Sequence, residues 1–328
     1  MGHDLTLTQL TYVVAIDTHR HFARAADACG VTQPTLSMQI AKLERSLGVL
    51  LFDRSRAPVL PTDVGVQVIE QARVTLRAAS RLAEIAGARA GVVAGVVRLG
   101  IIPTIAPYLL PRVIHRLAAL HPSLELVIEE RLTGDIVEAL RRDALDAGIV
   151  ASAVVEPGTV ERMLFTEPFV GYLSTTHRLA KKRRISPADL SLDDLWLLSE
   201  GHCFREQTVQ LCGQRSSRGA RASTSKSARA CTVGAHFESG NLETLKRLVE
   251  SGTGMTLLPL LAALDLQTAA ERRRVRQFSG PAPSRGVRLV RRRDHLKQHL
   301  VEAVVSGLLD TLPNEIRADD TGSRASRY

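Results

Sequence analysis

The stretch HFARAADACGVTQPTLSMQIAKLERSLGVLLFDR, residues 21–54, decides how this chain is read. Its first nine residues are alanine-rich and helix-prone. Gly30-Val31 breaks that helix, Thr32 can cap the next one through its hydroxyl, and Pro34 is tolerated in a first turn. The second helix then carries Leu36, Ile40, Leu43 and Leu47, an apolar stripe at helical period. Its opposite face shows Gln33, Thr35, Ser37, Gln39 and Lys42. Two helices joined by a glycine turn, the second with short polar groups at its start, form helix-turn-helix geometry, in which the second helix can enter the major groove. Amphipathic helix pairs are common, so the pattern alone leaves plain packing open beside DNA binding. Cys29 reads most simply as a small core residue.

Working outward, residues 5–18 repeat apolar positions at helical period. Leu50 to Leu60 reads as a short β-hairpin wing with Arg54 and Arg56 near its tip, where they could hold phosphates. Thr62 caps a long helix with Val68, Ala72, Leu76, Ala79 and Ala83 along one face, a packing seam that on an exposed helix would be a dimer seam. GARAGVVAG, residues 87–95, reads as a linker and domain boundary.

From Val96 the pattern changes to strands at 96–101, 124–129 and 147–150 alternating with helices at 107–120 and 134–142, which argues for a parallel α/β sheet. Further strands are expected at 169–174, 195–198, 255–258 and 287–290, and helices at 242–249 and 296–312. Thr104 and Thr133 follow the first two strands, where ligands sit in such folds. Their hydroxyls could hold a small polar ligand or simply cap the helices that follow.

GHCFREQ, residues 201–207, places a thiol between an imidazole and a guanidinium, with Cys212 nine positions after Cys203. A nearby cation favours thiolate, the reactive form. If this segment is helical, the two cysteines stand roughly 13 Å apart at about 1.5 Å per residue, while disulfide-bonded Cα atoms lie within about 7 Å. A Cys203–Cys212 bond would therefore require local refolding; two unrelated thiols is the plainer alternative.

Composition bounds the rest. Hydrophobic residues make up 45% of the 328 and aromatics 4%, so cores must be built from Ala, Val, Leu and Ile. No apolar run approaches the roughly 18–20 residues of a membrane span. MGHDLTLTQL lacks a secretory signal's basic start and apolar core, and a soluble cytoplasmic protein is expected. In a cytoplasmic chain the four cysteines are not expected to form structural disulfides, and without C-x2-C spacing zinc is a weak alternative. Net charge is +9, yet residues 1–65 carry six basic and six acidic side chains. The excess lies at 178–184, 215–229, 272–276 and 285–293, runs that could be merely solvated faces. Residues 213–231 are rich in Ser, Gly and Arg and read as a flexible loop.

The 21–54 stretch closely resembles the N-terminal helix-turn-helix of LysR-type transcriptional regulators: Gln-Pro-Thr-Leu-Ser, Leu-Glu, Leu-Gly and Phe-Asp-Arg stand in order. Within that family the chain resembles the OxyR peroxide sensors. The evidence is His19-Arg20-His21-Phe22, Ile102-Pro103-Thr104 with Pro107-Tyr108-Leu109-Leu110-Pro111, Glu200-Gly201-His202-Cys203, Asn241-Leu242-Glu243-Thr244-Leu245, and Gly254-Met255-Thr256-Leu257-Leu258-Pro259. The resemblance implies an α/β architecture with a winged helix-turn-helix over 1–62 and a dimerising linker helix over 63–90. A redox-sensing regulatory domain over 96–310 would follow, made of two subdomains resembling periplasmic binding proteins, about 96–166 with 268–310 and about 167–267. The tail, 313–328, is expected to be disordered.

The resemblance further implies a peroxide-switched activator. Cys203 becomes a sulfenic acid, Cys212 resolves it as a disulfide, and Thr104, Thr133, Gly201 and His202 line the peroxide pocket with Cys203. Expected at the DNA are Ala25, Gln33, Pro34, Thr35, Ser37, Gln39, Lys42, Arg54 and Arg56. Implied partners are an operator in double-stranded DNA, further copies of the chain as a dimer of dimers, and RNA polymerase; no cofactor, metal or membrane is implied. Two departures stand out: the loop after Cys212 is longer than the family pattern and adds Cys231, a competing resolving thiol, and Asp143 stands where glycine is expected. Rival readings are a LysR-type regulator of a small metabolite, a thiol peroxidase, and a periplasmic solute-binding protein.

Overall fold

A computed structural model describes residues 5–55, 57–88, 93–213, 240–295 and 297–317. The chain falls into two compact units, the first built on its opening 92 residues.

In the first unit Thr6 opens helix α1 (Leu7–His19) with a capping box: its hydroxyl accepts from the Gln9 N–H at 3.2 Å, and the Gln9 side chain returns the bond. Helices α2 (Phe22–Ala28) and α3 (Gln33–Leu47) follow, with Thr32 capping α3 and Gly48 ending it in the left-handed region. The wing is two short antiparallel strands, β1 (Phe52–Asp53) and β2 (Leu60–Pro61), before the long helix α4 (Asp63–Ala88). Val13, Ile16, Ala25, Leu36, Ile40, Leu43 and Leu51 are fully buried in one cluster with Phe52 and Ile69. Each large aliphatic there contributes about 1.5–3 kcal/mol. The expected α4 seam is partly consumed here: Ala72 is buried and Val68 packs on this core, while Val66, Val74 and Leu82 remain exposed.

The second unit begins with β3 (Gly95–Ile101), α5 (Ala106–Leu120), β4 (Leu124–Glu130), α6 (Thr133–Arg141) and β5 (Ala147–Val150). Strands β4, β3 and β5 are parallel, as helical crossovers require. The long β6 (Thr159–Leu173), β7 (Arg184–Ile185), α7 (Cys203–Gly213), α8 (Leu242–Glu250), β8 (Met255–Pro259), α9 (Leu260–Leu264), α10 (Ala269–Arg272), β9 (Val275–Phe278), β10 (Ser284–Arg292), α11 (Gln298–Asp310) and α12 (Asn314–Arg317) complete it.

The all-parallel expectation fails beyond β5. Strand β10 inserts antiparallel between β5 and β6, and β6 pairs antiparallel with β8 and β9. Strand β6 also runs ten residues upstream of its predicted start at Phe169. Pro168 and the charged Glu161, Arg162 and Glu167 hid that half, although each pairs across to β10. Residues 195–198 make only a bridge, Leu195 to Met255, beside the buried Trp196, whose indole Nε1 donates to the Thr253 carbonyl at 3.1 Å. Asp143, in place of the expected glycine, adopts φ +55°, a left-handed conformation that aspartate tolerates better than most residues. The expected disorder after Pro313 is also corrected at its start: α12 buries Ile316 completely. Among the described residues no helix is long and apolar enough to cross a membrane.

Candidate thiol site and DNA-facing helix

Cys203 is the first residue of α7 and is buried. Gly201 sets it there: its φ of +89° favours glycine, and a Cβ would lie 3.1 Å from Leu132 Cδ1. The cation expected beside the thiol is not the one the local sequence offers. His202 is buried, and burial pushes its imidazole below the ordinary range, so it is neutral at pH 7. The Arg205 guanidinium donates to the Leu198 carbonyl at 2.8 Å. The positive charge acting on the thiol belongs to Arg285, which the sequence grouped with a solvated run and which is 2% exposed.

Arg285 is held on three sides. Its Nε and Nη2 reach Glu167 Oε2 at 2.8 Å, and Nη1 and Nη2 donate to the Thr104 hydroxyl and carbonyl at 2.9 and 3.0 Å. Its guanidinium also lies 5.4 Å from the centre of the Phe204 ring. Glu167 is wholly buried and accepts a further bond from the Leu261 N–H at 2.9 Å.

Neither threonine caps the helix that follows it. The Thr104 hydroxyl accepts from Arg285, and α5 has no side-chain cap. Thr133 Oγ1 is buried without a hydrogen-bond partner; it approaches the Cys203 sulfur closely enough to favour its thiolate. Gln207, one turn along α7, donates to the Ala151 carbonyl at 2.7 Å while its Oε1 is also buried without a partner. Burial raises the Cys203 thiol above the ordinary range; Arg285, Thr133 and the Ala151 backbone oppose the rise, and Glu206 adds to it. The resting group is thus a thiol at neutral pH, poised by opposing effects.

Cys212 sits on the same helix, and both sulfurs are free. Nine helical residues separate their Cα atoms by roughly 13 Å, so α7 as folded forbids a bond between them. Burial and the Asp194 carboxylate push the Cys212 thiol up to about 11. Asp194 itself stays ionised: burial alone would raise its carboxyl, and hydrogen bonds from His177 and Arg178 more than offset that. Cys231 lies outside the described residues.

On the first unit, Gln33, Pro34, Thr35 and Lys42 are exposed along α3, and Ser37 and Gln39 are half-buried. Thr35 hydrogen-bonds Thr32 at 2.8 Å, and Gln39 accepts from Gln9 at 3.3 Å. Ala25 is fully buried in the core and presents no side chain to DNA, a correction to its expected role. Arg54 pairs with the buried Glu44 at 2.7 Å and stacks 5.1 Å from the Phe22 ring centre, so it fastens the wing to α3. Glu44 also accepts from the Leu51 N–H, an anchoring role that only its helical register with the buried Ile40 and Leu43 could have signalled. Arg56 lies outside the described residues.

The signature described as "Bacterial regulatory helix-turn-helix protein, lysR family" matches residues 7–66, and "LysR substrate binding domain" matches 90–313. The chain belongs to the LysR family. Among its relatives, proteins named "Hydrogen peroxide-inducible genes activator" from Dickeya chrysanthemi and "DNA-binding transcriptional dual regulator OxyR" from Escherichia coli K12 are 39% and 38% identical. Each alignment covers 79% of this chain and 80% of the relative. A full-length OxyR variant from Pseudomonas aeruginosa superposes with a TM-score of 0.77 at 34% identity, over 96% of this chain and 98% of that one. A hydrogen peroxide-bound OxyR mutant from Corynebacterium glutamicum gives 0.60 at 29% identity, over 98% and 97%. These likenesses place the chain in the OxyR-like branch of the LysR family, a branch of DNA-binding transcription regulators.

Proposed function

We propose that this chain is a peroxide-responsive transcriptional activator switched by oxidation of Cys203. The observation that carries the reading is a buried thiol at the start of α7, under the charge of Arg285 and close to Thr133, whose Oγ1, like Oε1 of Gln207 one turn along the helix, is buried without a partner. Buried polar atoms left unpaired are costly, and a molecule of hydrogen peroxide at the thiol would pair them. The Cys203 thiolate attacks one peroxide oxygen. An S–O bond forms as the O–O bond breaks, the sulfur is oxidised to a sulfenic acid, and the released hydroxide takes a proton to leave as water.

Resolution follows from Cys212. Its thiol is held protonated by burial and Asp194, so it becomes a nucleophile once it leaves that surrounding. Unwinding of α7 both frees it and brings it within reach. The Cys212 thiolate then attacks the Cys203 sulfur, an S–S bond replaces the S–OH bond, and the released hydroxide takes up the proton given up by the Cys212 thiol and departs as a second water. Local refolding is the shape change that such a switch transmits to DNA binding. The exposed face of α3, with Gln33, Pro34, Thr35 and Lys42, reads the operator, and Ser37 and Gln39 support it. A dimer of dimers engaging RNA polymerase completes the reading.

The test is peptide mapping of thiols after brief, low-dose hydrogen peroxide, with DNA footprinting on the same samples. A Cys203–Cys212 disulfide with a shifted footprint is expected, and Cys203→Ser should lose the shift while keeping DNA binding. Free thiols with an unchanged footprint would refute the proposal and leave a regulator of another signal; a Cys203–Cys231 bond would move resolution to the long loop.

A further inference from the structure

The helix-turn-helix unit is electrically balanced, with six basic and six acidic side chains over residues 1–65. Two of these six cations are already committed, Arg20 to Asp17 and Arg54 to Glu44. Phosphate neutralisation dominates DNA affinity in general, so a balanced reading unit leaves that demand largely unmet. The chain's positive excess lies elsewhere.

The fold brings two of the basic runs, far apart in sequence, onto one edge of the second unit. Strand β7 pairs in parallel with β9, with Arg184 opposite Gln277. The Arg276 guanidinium donates to the Ala180 carbonyl at 2.5 Å and the Arg273 carbonyl at 2.6 Å, tying the start of one run to the other. The edge thereby gathers Arg178, Lys181, Lys182, Arg183 and Arg184 with Arg272, Arg273, Arg274 and Arg276. Asp194 and Asp189 compensate Arg178 and Lys182. Lys181, Arg183, Arg184 and Arg273 are exposed and pair with no carboxylate among the described residues. Like charges gathered on adjacent strands repel, and a polyanion relieves that repulsion. None of the exposed large apolar side chains lies within 175–190 or 270–280. A protein partner is expected to bury an apolar centre, whereas a phosphate backbone asks only for charge and donors.

We propose that the edge formed by β7 and β9 is a second, sequence-independent DNA-binding surface that holds the phosphates of duplex DNA through Lys181, Arg183, Arg184 and Arg273. Joined to α3 in one chain, it raises affinity by adding a tethered contact.

The full-length protein would be titrated onto a fluorescent 60-base-pair duplex of mixed sequence across a series of salt concentrations, for the wild type and for a variant carrying Lys181→Gln, Arg183→Gln, Arg184→Gln and Arg273→Gln. Each phosphate that is no longer neutralised lowers the slope of log K against log salt by about 0.9, so four such phosphates per protomer lower it by up to about 3.6. The charge-keeping variant Arg183→Lys, Arg184→Lys, Arg273→Lys should retain the wild-type slope, which separates charge removal from misfolding. An unchanged slope in the fourfold Gln variant, with an unchanged circular dichroism spectrum, would overturn the proposal. Unchanged DNA binding with abolished capture of an acidic protein would overturn it as well, in favour of a protein partner.

Discussion

Replacing Glu167 by glutamine tests the frame behind the thiol. The carboxylate is wholly buried, its partner Arg285 has a fully buried side chain, and they meet at 2.8 Å through Nε and Nη2. Glutamine keeps the shape and one acceptor for the Leu261 N–H, but removes the charge. Breaking a buried pair from one side costs about 3–5 kcal/mol; with the Leu261 bond retained, the lower end, about 3 kcal/mol, is expected. For a unit of this size, about 2–4 °C per kcal/mol converts that into a melting midpoint roughly 6–12 °C lower. Arg285, no longer balanced by a carboxylate, should then favour the Cys203 thiolate more strongly. Calorimetry gives the first quantity. The rate of iodoacetamide labelling at Cys203 against pH, read by peptide mass spectrometry, gives the second, with the inflection moving down. A stability change under about 1 kcal/mol, or an inflection that stays or moves up, would refute the assignment of Arg285 as the charge that governs the thiol.

Gly201→Ala forces a side chain into a left-handed conformation against Leu132; a loss of about 1–2 kcal/mol is expected in denaturant unfolding, with slower oxidation of Cys203. Arg54→Ala strips the partner from buried Glu44 and should lower stability by about 1–3 kcal/mol, with Arg54→Lys restoring part of it; weakened DNA binding at unchanged stability would instead make Arg54 a phosphate contact. Both thiols of α7 titrate above the ordinary range, so their labelling rates should climb through pH 7–9 without a plateau. The same shifts mean that the folded state holds these protons more tightly than the unfolded chain. Stability is therefore full below the unfolded thiol value, about 8.5, and declines as pH rises from there toward the folded values, about 11 for Cys212. Pulse unfolding at pH 8 and 10 checks that sign.

The helix-turn-helix was legible because its signals are local: Gly30-Val31 breaks one helix, Thr32 caps the next, and Leu36, Ile40 and Leu43 mark the buried face within fifteen residues. The crossovers from β3 to β5 were legible for the same reason. What escaped were features made by residues distant in sequence. Strand β10 enters from the far end of the unit and splits β5 from β6, a placement that no periodicity records. Arg285 looked like one charge in a basic run, and nothing local marked Glu167; only their meeting in the core reveals the pair. Ala25 was misplaced at the DNA because an alanine on a short amphipathic helix carries little sign of which face it occupies.

Trp196 is the chain's sole tryptophan. It is tied to Thr253 through its indole and to Met255 through its backbone N–H, its carbonyl accepts from the Thr256 hydroxyl, and it stands two residues after Asp194. Two residues further on, the Leu198 carbonyl is gripped by Arg205 of α7. Any loosening of α7 must therefore pull on the strip that cradles this indole. The molecule carries its own optical gauge, since a buried indole emits at shorter wavelength than a wetted one. If the proposed unwinding of α7 occurs, stopped-flow emission times it with no dye attached and no second tryptophan to confuse the trace.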